Sequence, residues 1–91
     1  MYTISPTSQF KKDLKRAEKQ GKDLNKLAIV LMALLRGKSL PQQYFDHQLT
    51  GELRGYRECH IEPDWLLMYQ VKKEKKVVTL IRVGTHAELF S

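Results

Sequence analysis

Ninety-one residues suffice for one hydrophobic core but not for a second lobe, so a single domain over 1–91 is expected, with any active site on its surface. Sixteen Lys and Arg against ten Asp and Glu leave a formal charge of +6, which points to polyanions or acidic proteins as partners, while 42% hydrophobic residues exclude a basic disordered tail. The solitary Cys59 excludes an internal disulfide and any multi-cysteine zinc motif, and the default for such a chain is the cytoplasm.

Tyr2 to Ser5 alternates like a short strand, and the following "SPTSQF" offers Ser5 as a helix cap and Pro6 for a first turn. Phe10, Leu14 and Ala17 recur at helical spacing, with Lys11, Lys12, Lys15, Arg16 and Lys19 on the other faces, until Gly21 ends the helix. Asp23 then caps a second helix whose apolar face is read as Leu24, Leu27, Ala28, Leu31, Leu34 and Leu35, closed by Gly37. Its apolar run, "LAIVLMALL", falls well short of the roughly 20 residues that span a bilayer, and the N-terminus carries no apolar leader segment, so no membrane association is expected.

From Lys38 to Arg54 periodicity is lost, and the segment reads as a long loop. Gly55 to Ile61 and Trp65 to Val71 are rich in aromatic and branched residues, and Glu62-Pro63-Asp64 between them supplies a turn, which predicts an antiparallel hairpin with His60 and Asp64 meeting at its tip. "KKEKK" is a charged turn, "VVTLIRV" a strand apolar enough for an internal place in the sheet, and Gly84 breaks it before "THAELFS", a closing turn or single helical turn. The order is that of an α+β domain, two helices on one antiparallel sheet that the first strand also joins.

All three histidines, His47, His60 and His86, fall in loops or at strand ends. With Asp64 and a basic surface they form an inventory for acid-base cleavage of RNA, in which one group deprotonates the 2′-hydroxyl and another protonates the leaving 5′-oxygen. Arg57, Arg82 or a protonated histidine is available for charge on the phosphate oxygens, and Phe90, with little chain left to bury it, for base stacking. A zinc site from His60, Asp64 and a third histidine would lack both Cys-rich spacing and a close pair such as H-x-x-x-H, so no metal and no cofactor is expected.

"DHQLTGELRGYRECHIEPDWLLMY" followed by "IRVGTHAELF" resembles the RelE superfamily of toxins, and within it the YafQ branch, whose anchors D-H-x-L-x-G, G-Y-R-[DE]-x-H-[IV]-x-P-D-[WL] and G-[TS]-H-x-x-L-F are all present. The resemblance implies a RelE-like fold and a ribosome-dependent mRNA endonuclease silenced by a cognate acidic antitoxin, with operator DNA reached only through the toxin-antitoxin complex. It implies His86 as the principal catalytic residue and general acid, His60, Asp64 and His47 as the rest of the acid-base set, and Phe90 as an aromatic that holds substrate. The rivals are a binding-only relative such as a gyrase inhibitor, a degenerate toxin kept for autoregulation, and a nuclease that cuts free RNA.

Overall fold

The structure, a computed structural model, describes residues 1–90; Ser91, the end of the expected closing turn, lies outside the described residues. Its elements run β1 (Thr3–Pro6), α1 (Ser8–Lys19), α2 (Leu24–Leu35), β2 (His47–Gln48), β3 (Arg57–Glu62), β4 (Trp65–Lys72), β5 (Val77–Gly84) and α3 (His86–Phe90), with short 3₁₀ turns at Gln42–Tyr44 and Gly51–Leu53. The strands form one sheet in the order β1-β5-β4-β3-β2, antiparallel except where β1 runs parallel to β5. This is the expected α+β class, and β5 does lie inside the sheet.

Helix α1 starts later than the sequence suggests. Thr7, not Ser5, is its cap: the Thr7 hydroxyl accepts from the Phe10 amide at 3.1 Å and donates to the Leu80 carbonyl at 2.8 Å, tying the helix start to β5. Pro6 instead ends β1, an edge strand that tolerates its missing N–H. On α2 the buried stripe is Leu27, Val30 and Leu34, and Ala28 is exposed, because the sheet contacts a narrower face than hydrophobicity alone outlines.

Alternation along the strands divides the sheet's two faces. Cys59, Leu67, Tyr69, Val78, Leu80 and Val83 join Phe10, Ala17, Leu27, Val30 and Leu34 in the core beneath the helices. Burial pushes the Cys59 thiol up to about 12, so it packs as an inert apolar group. Glu58, His60, Leu66 and Met68 alternate with those residues and belong to the opposite face, where His47 stands across from Glu58 in the β2–β3 pair. Among the described residues no helix is long and apolar enough to cross a membrane.

Candidate active site

Each site residue is set by a local device. Pro63 and Asp64 form the two-residue tip between β3 and β4, and a register shift between His60 and Glu62 loosens the ladder beside it. The turn does not, however, join His60 to Asp64. His60 Nδ1 faces the Pro63 carbonyl at 3.3 Å, whereas Asp64 Oδ1 accepts from the backbone N–H of His86 at 2.9 Å and from its Nδ1 at 2.8 Å. These two bonds hold the Asp64 carboxyl below its ordinary range, the backbone bond contributing most.

Helix α3 is fixed by a reciprocal cap. The Glu88 amide donates to the Thr85 hydroxyl at 3.2 Å, and the Thr85 amide donates to Glu88 Oε1 at 2.8 Å. Glu88 also receives Arg16 Nε at 3.0 Å and Gln20 at 3.0 Å, which fastens the helix to α1. His86 and Phe90 are one turn apart on the anchored helix, with ring centroids separated by 6.4 Å.

His47 comes from the long loop that the sequence leaves without pattern. Asp46 beside it receives the Tyr69 hydroxyl and Arg57 at 3.0 Å, which anchors this stretch to the sheet, and His47 Nδ1 donates to the Phe45 carbonyl at 2.7 Å. The His47 and His60 rings are 6.5 Å apart, and His60 and His86 5.7 Å. Segments from three separate parts of the chain thus bring the three imidazoles onto one face, with Asp64 behind one end.

The two arginines expected at phosphate have other partners. Arg82 donates to Asp13 at 2.7 and 3.1 Å, and the Val83 amide also donates to this fully buried carboxylate at 3.1 Å. Burial pushes the Asp13 carboxyl up, but the bonds from Arg82, Val83 and Gln9 together outweigh it and hold the group below its ordinary range. Arg57 is bound to Asp46, and that bond raises its already high pKa. Both guanidinium groups act on the framework: one locks α1 to β5, the other fixes the loop that carries His47.

Two residues of the site were missed by sequence reasoning. Glu58 lies two residues before His60 on the same strand, so period two places both on one face, a signal available but unused. Its carboxylate is buried, with Oε1 3.6 Å from His47 Nε2 and 4.0 Å from His60 Nε2, and Oε2 without a hydrogen-bond partner. The second is Phe45, 65% exposed, whose ring meets His60 edge-on at 5.7 Å. No metal was expected, yet Glu58, His60 and His86 each place a ligand atom within 4.8 Å of the others, and the orphaned buried Glu58 oxygen fits such a role. This carboxylate-imidazole set suits a divalent transition-metal ion; Glu58 and His60 are neighbours on one strand, and the fold, not a spacing motif, brings His86 to them.

Over residues 2–91 the chain matches the family described as bacterial toxin of type II toxin-antitoxin system, YafQ. It belongs to that family. It is 44% identical over 88 residues to the mRNA interferase toxin YafQ of Escherichia coli K12, covering 96% of this chain and 94% of that protein. A metal-bound toxin from Helicobacter pylori superposes with a TM-score of 0.92 at 46% identity, over 99% of this chain and 100% of that one. The E. coli DinJ-YafQ complex contains a chain that superposes with a TM-score of 0.91 at 41% identity, over 100% of both chains. Both structures share the α+β architecture, as the resemblance in the sequence implied.

Proposed function

We propose that this chain is the toxin of a type II toxin-antitoxin system, a cytoplasmic endoribonuclease that cuts mRNA on the ribosome by attack of the 2′-hydroxyl. The observation that carries the reading is the placement of His60 and His86 side by side, 5.7 Å between centroids, each oriented by a separate acceptor. A carbonyl only accepts, so the His60 Nδ1 facing Pro63 carries its hydrogen and Nε2 has the free lone pair. That nitrogen takes the proton of the 2′-hydroxyl, the resulting alkoxide attacks phosphorus, and the bond to the 5′-oxygen breaks.

His86 gives the departing oxygen its proton. Asp64 fixes the ring through Nδ1, turns Nε2 outward and balances the charge that the imidazole carries when protonated. The products are a 2′,3′-cyclic phosphate and a 5′-hydroxyl, with one proton taken and one returned. His47, with Glu58 beneath it, lies beside this pair as the third imidazole of the site, and Phe90 supplies a stacking surface for a base. A divalent ion held by Glu58, His60 and His86 would offer charge to a phosphate oxygen and at the same time take up the ring nitrogens that proton transfer needs.

The basic exposed side of α1, with Lys11, Lys12, Lys15 and Lys19, adds attraction to ribosomal RNA and to an acidic antitoxin, through which alone the toxin reaches operator DNA. The test is purified protein added to translating ribosomes with a defined mRNA, the new 5′ ends mapped by primer extension, with His86→Ala and ribosome-free RNA alongside. Cleavage confined to translated codons and lost in the variant supports the reading. Cutting of naked RNA replaces it with a free nuclease, and no cutting replaces it with a binding-only protein.

A further inference from the structure

Phe45 ends the 3₁₀ turn Gln42–Tyr44 in the left-handed region, at φ 48° and ψ 42°. A bulky side chain rarely adopts that conformation, and such outliers persist where the surroundings impose them. Here they do: the Phe45 amide donates to the Gln42 carbonyl at 3.0 Å, its carbonyl accepts from His47, and Asp46 beside it is held by Tyr69 and Arg57. The fixed kink leaves the ring 65% exposed, beside a cleft of about 600 Å³ lined by Phe45, Tyr44, Ile61, Pro63 and His60.

Phe45 neighbours His60, His60 neighbours His86 and His86 neighbours Phe90, at centroid spacings of 5.7, 5.7 and 6.4 Å. The two histidines are those that transfer protons at the 2′-hydroxyl and the departing oxygen in the reading above, on which this inference rests. Each histidine of the proton-transfer pair therefore has its own aromatic neighbour, Phe45 beside His60 and Phe90 beside His86. We propose that Phe45 and its cleft receive the nucleobase on one side of the scissile phosphate, while Phe90 receives the base on the other. A base suits this place because His60, the proposed base of the reaction, lines the same cleft, and because a flat apolar platform in a chain of charge +6 matches a polyanion with stacking faces. Phe45 would then contribute to which codons are cut, since stacking strength differs among bases.

The test compares wild type with Phe45→Ala, Phe45→Leu and Phe45→Trp in single-turnover cleavage of ribosome-bound mRNAs that vary the nucleotides flanking the cut, together with affinity for the cognate antitoxin. Expected are a loss of about 5- to 100-fold for Phe45→Ala, the weight of one stacked base, and recovery with Phe45→Trp but not with Phe45→Leu. The loss should be largest for mRNAs with a purine at one flanking position. Cleavage by Phe45→Ala within twofold of wild type overturns the proposal, as does rescue by Phe45→Leu equal to that by Phe45→Trp. Intact cleavage with lost antitoxin affinity assigns the cleft to a peptide and overturns it too. Failure of the wild type to cleave on ribosomes is a separate result that removes the underlying reading and this one with it.

Discussion

One oxygen of Asp64 accepts two hydrogen bonds from His86, from the backbone N–H at 2.9 Å and from Nδ1 at 2.8 Å, although the two residues are 22 positions apart. The backbone bond fixes where α3 begins and the ring bond fixes which nitrogen points outward. Position and tautomer of the proposed acid thus come from one carboxylate at a hairpin tip.

Replacing His86 with Ala should lower mRNA cleavage by about 10²- to 10⁴-fold, the usual weight of one positioned acid. Asp64→Asn should also lower it, by about tenfold or more, because its side-chain amide can present an N–H to the ring and allow the wrong tautomer. Single-turnover cleavage on ribosomes checks both, with circular dichroism to show that the fold is kept. An Asp64→Asn variant as active as wild type would mean that the contact does not orient the acid.

A second carboxylate governs stability. Asp13 is wholly buried and accepts from Arg82, the Val83 amide and Gln9, so it joins α1 to the last strand. Its pKa is depressed below the ordinary 3.8 in the folded state, so its contribution is complete above that value and is lost as pH falls through the lower folded one. Acid unfolding should therefore steepen below about pH 4. Asp13→Ala, which leaves Arg82 without its partner, should cost about 3 kcal/mol in urea titrations at neutral pH and flatten that acid limb. An unchanged midpoint would show that the pair contributes little.

How much of this is visible in the chain itself depends on distance along it. The helices follow from Phe10, Leu14 and Ala17 and from the Leu27 to Leu34 stripe, and the hairpin follows from Pro63 and Asp64, because periodicity and turn chemistry act over a few residues. The choice of Asp64's partner does not follow. His60, four residues away, looks closer than His86, yet the fold brings the more distant ring to the carboxylate. Asp13 was hidden for the same reason: on a basic helix it looks like one more solvated charge until β5 packs over it. His47 lies in a two-residue strand too short to leave any alternation, and its register opposite Glu58 comes from pairing with β3 and from Asp46 bound to Arg57 and Tyr69.

Metal binding offers a further check on the roles assigned to the rings. Glu58, His60 and His86 lie close enough to share an ion, and an imidazole nitrogen that coordinates a metal has no lone pair left for a proton. Micromolar Zn²⁺ should inhibit cleavage, and chelation by EDTA should restore it, with less inhibition in Glu58→Gln at equal metal. Activation by Zn²⁺, or loss of activity on chelation from metal-free buffer, would instead make the ion part of the chemistry.

The backbone at Phe45 tests whether function is retained at the expense of stability. A left-handed conformation costs an ordinary L-residue about 1–2 kcal/mol, whereas Asn tolerates it through local hydrogen bonding, and a ring 65% exposed contributes little burial in return. Phe45→Asn should therefore raise stability by up to about 1 kcal/mol while lowering cleavage on ribosomes. Urea titration and primer extension on the same preparation decide it. A variant that loses stability would show that the Phe45 ring, despite its exposure, contributes to the fold through His60. A variant that gains stability without losing activity would mean that the strained turn serves no step in cleavage.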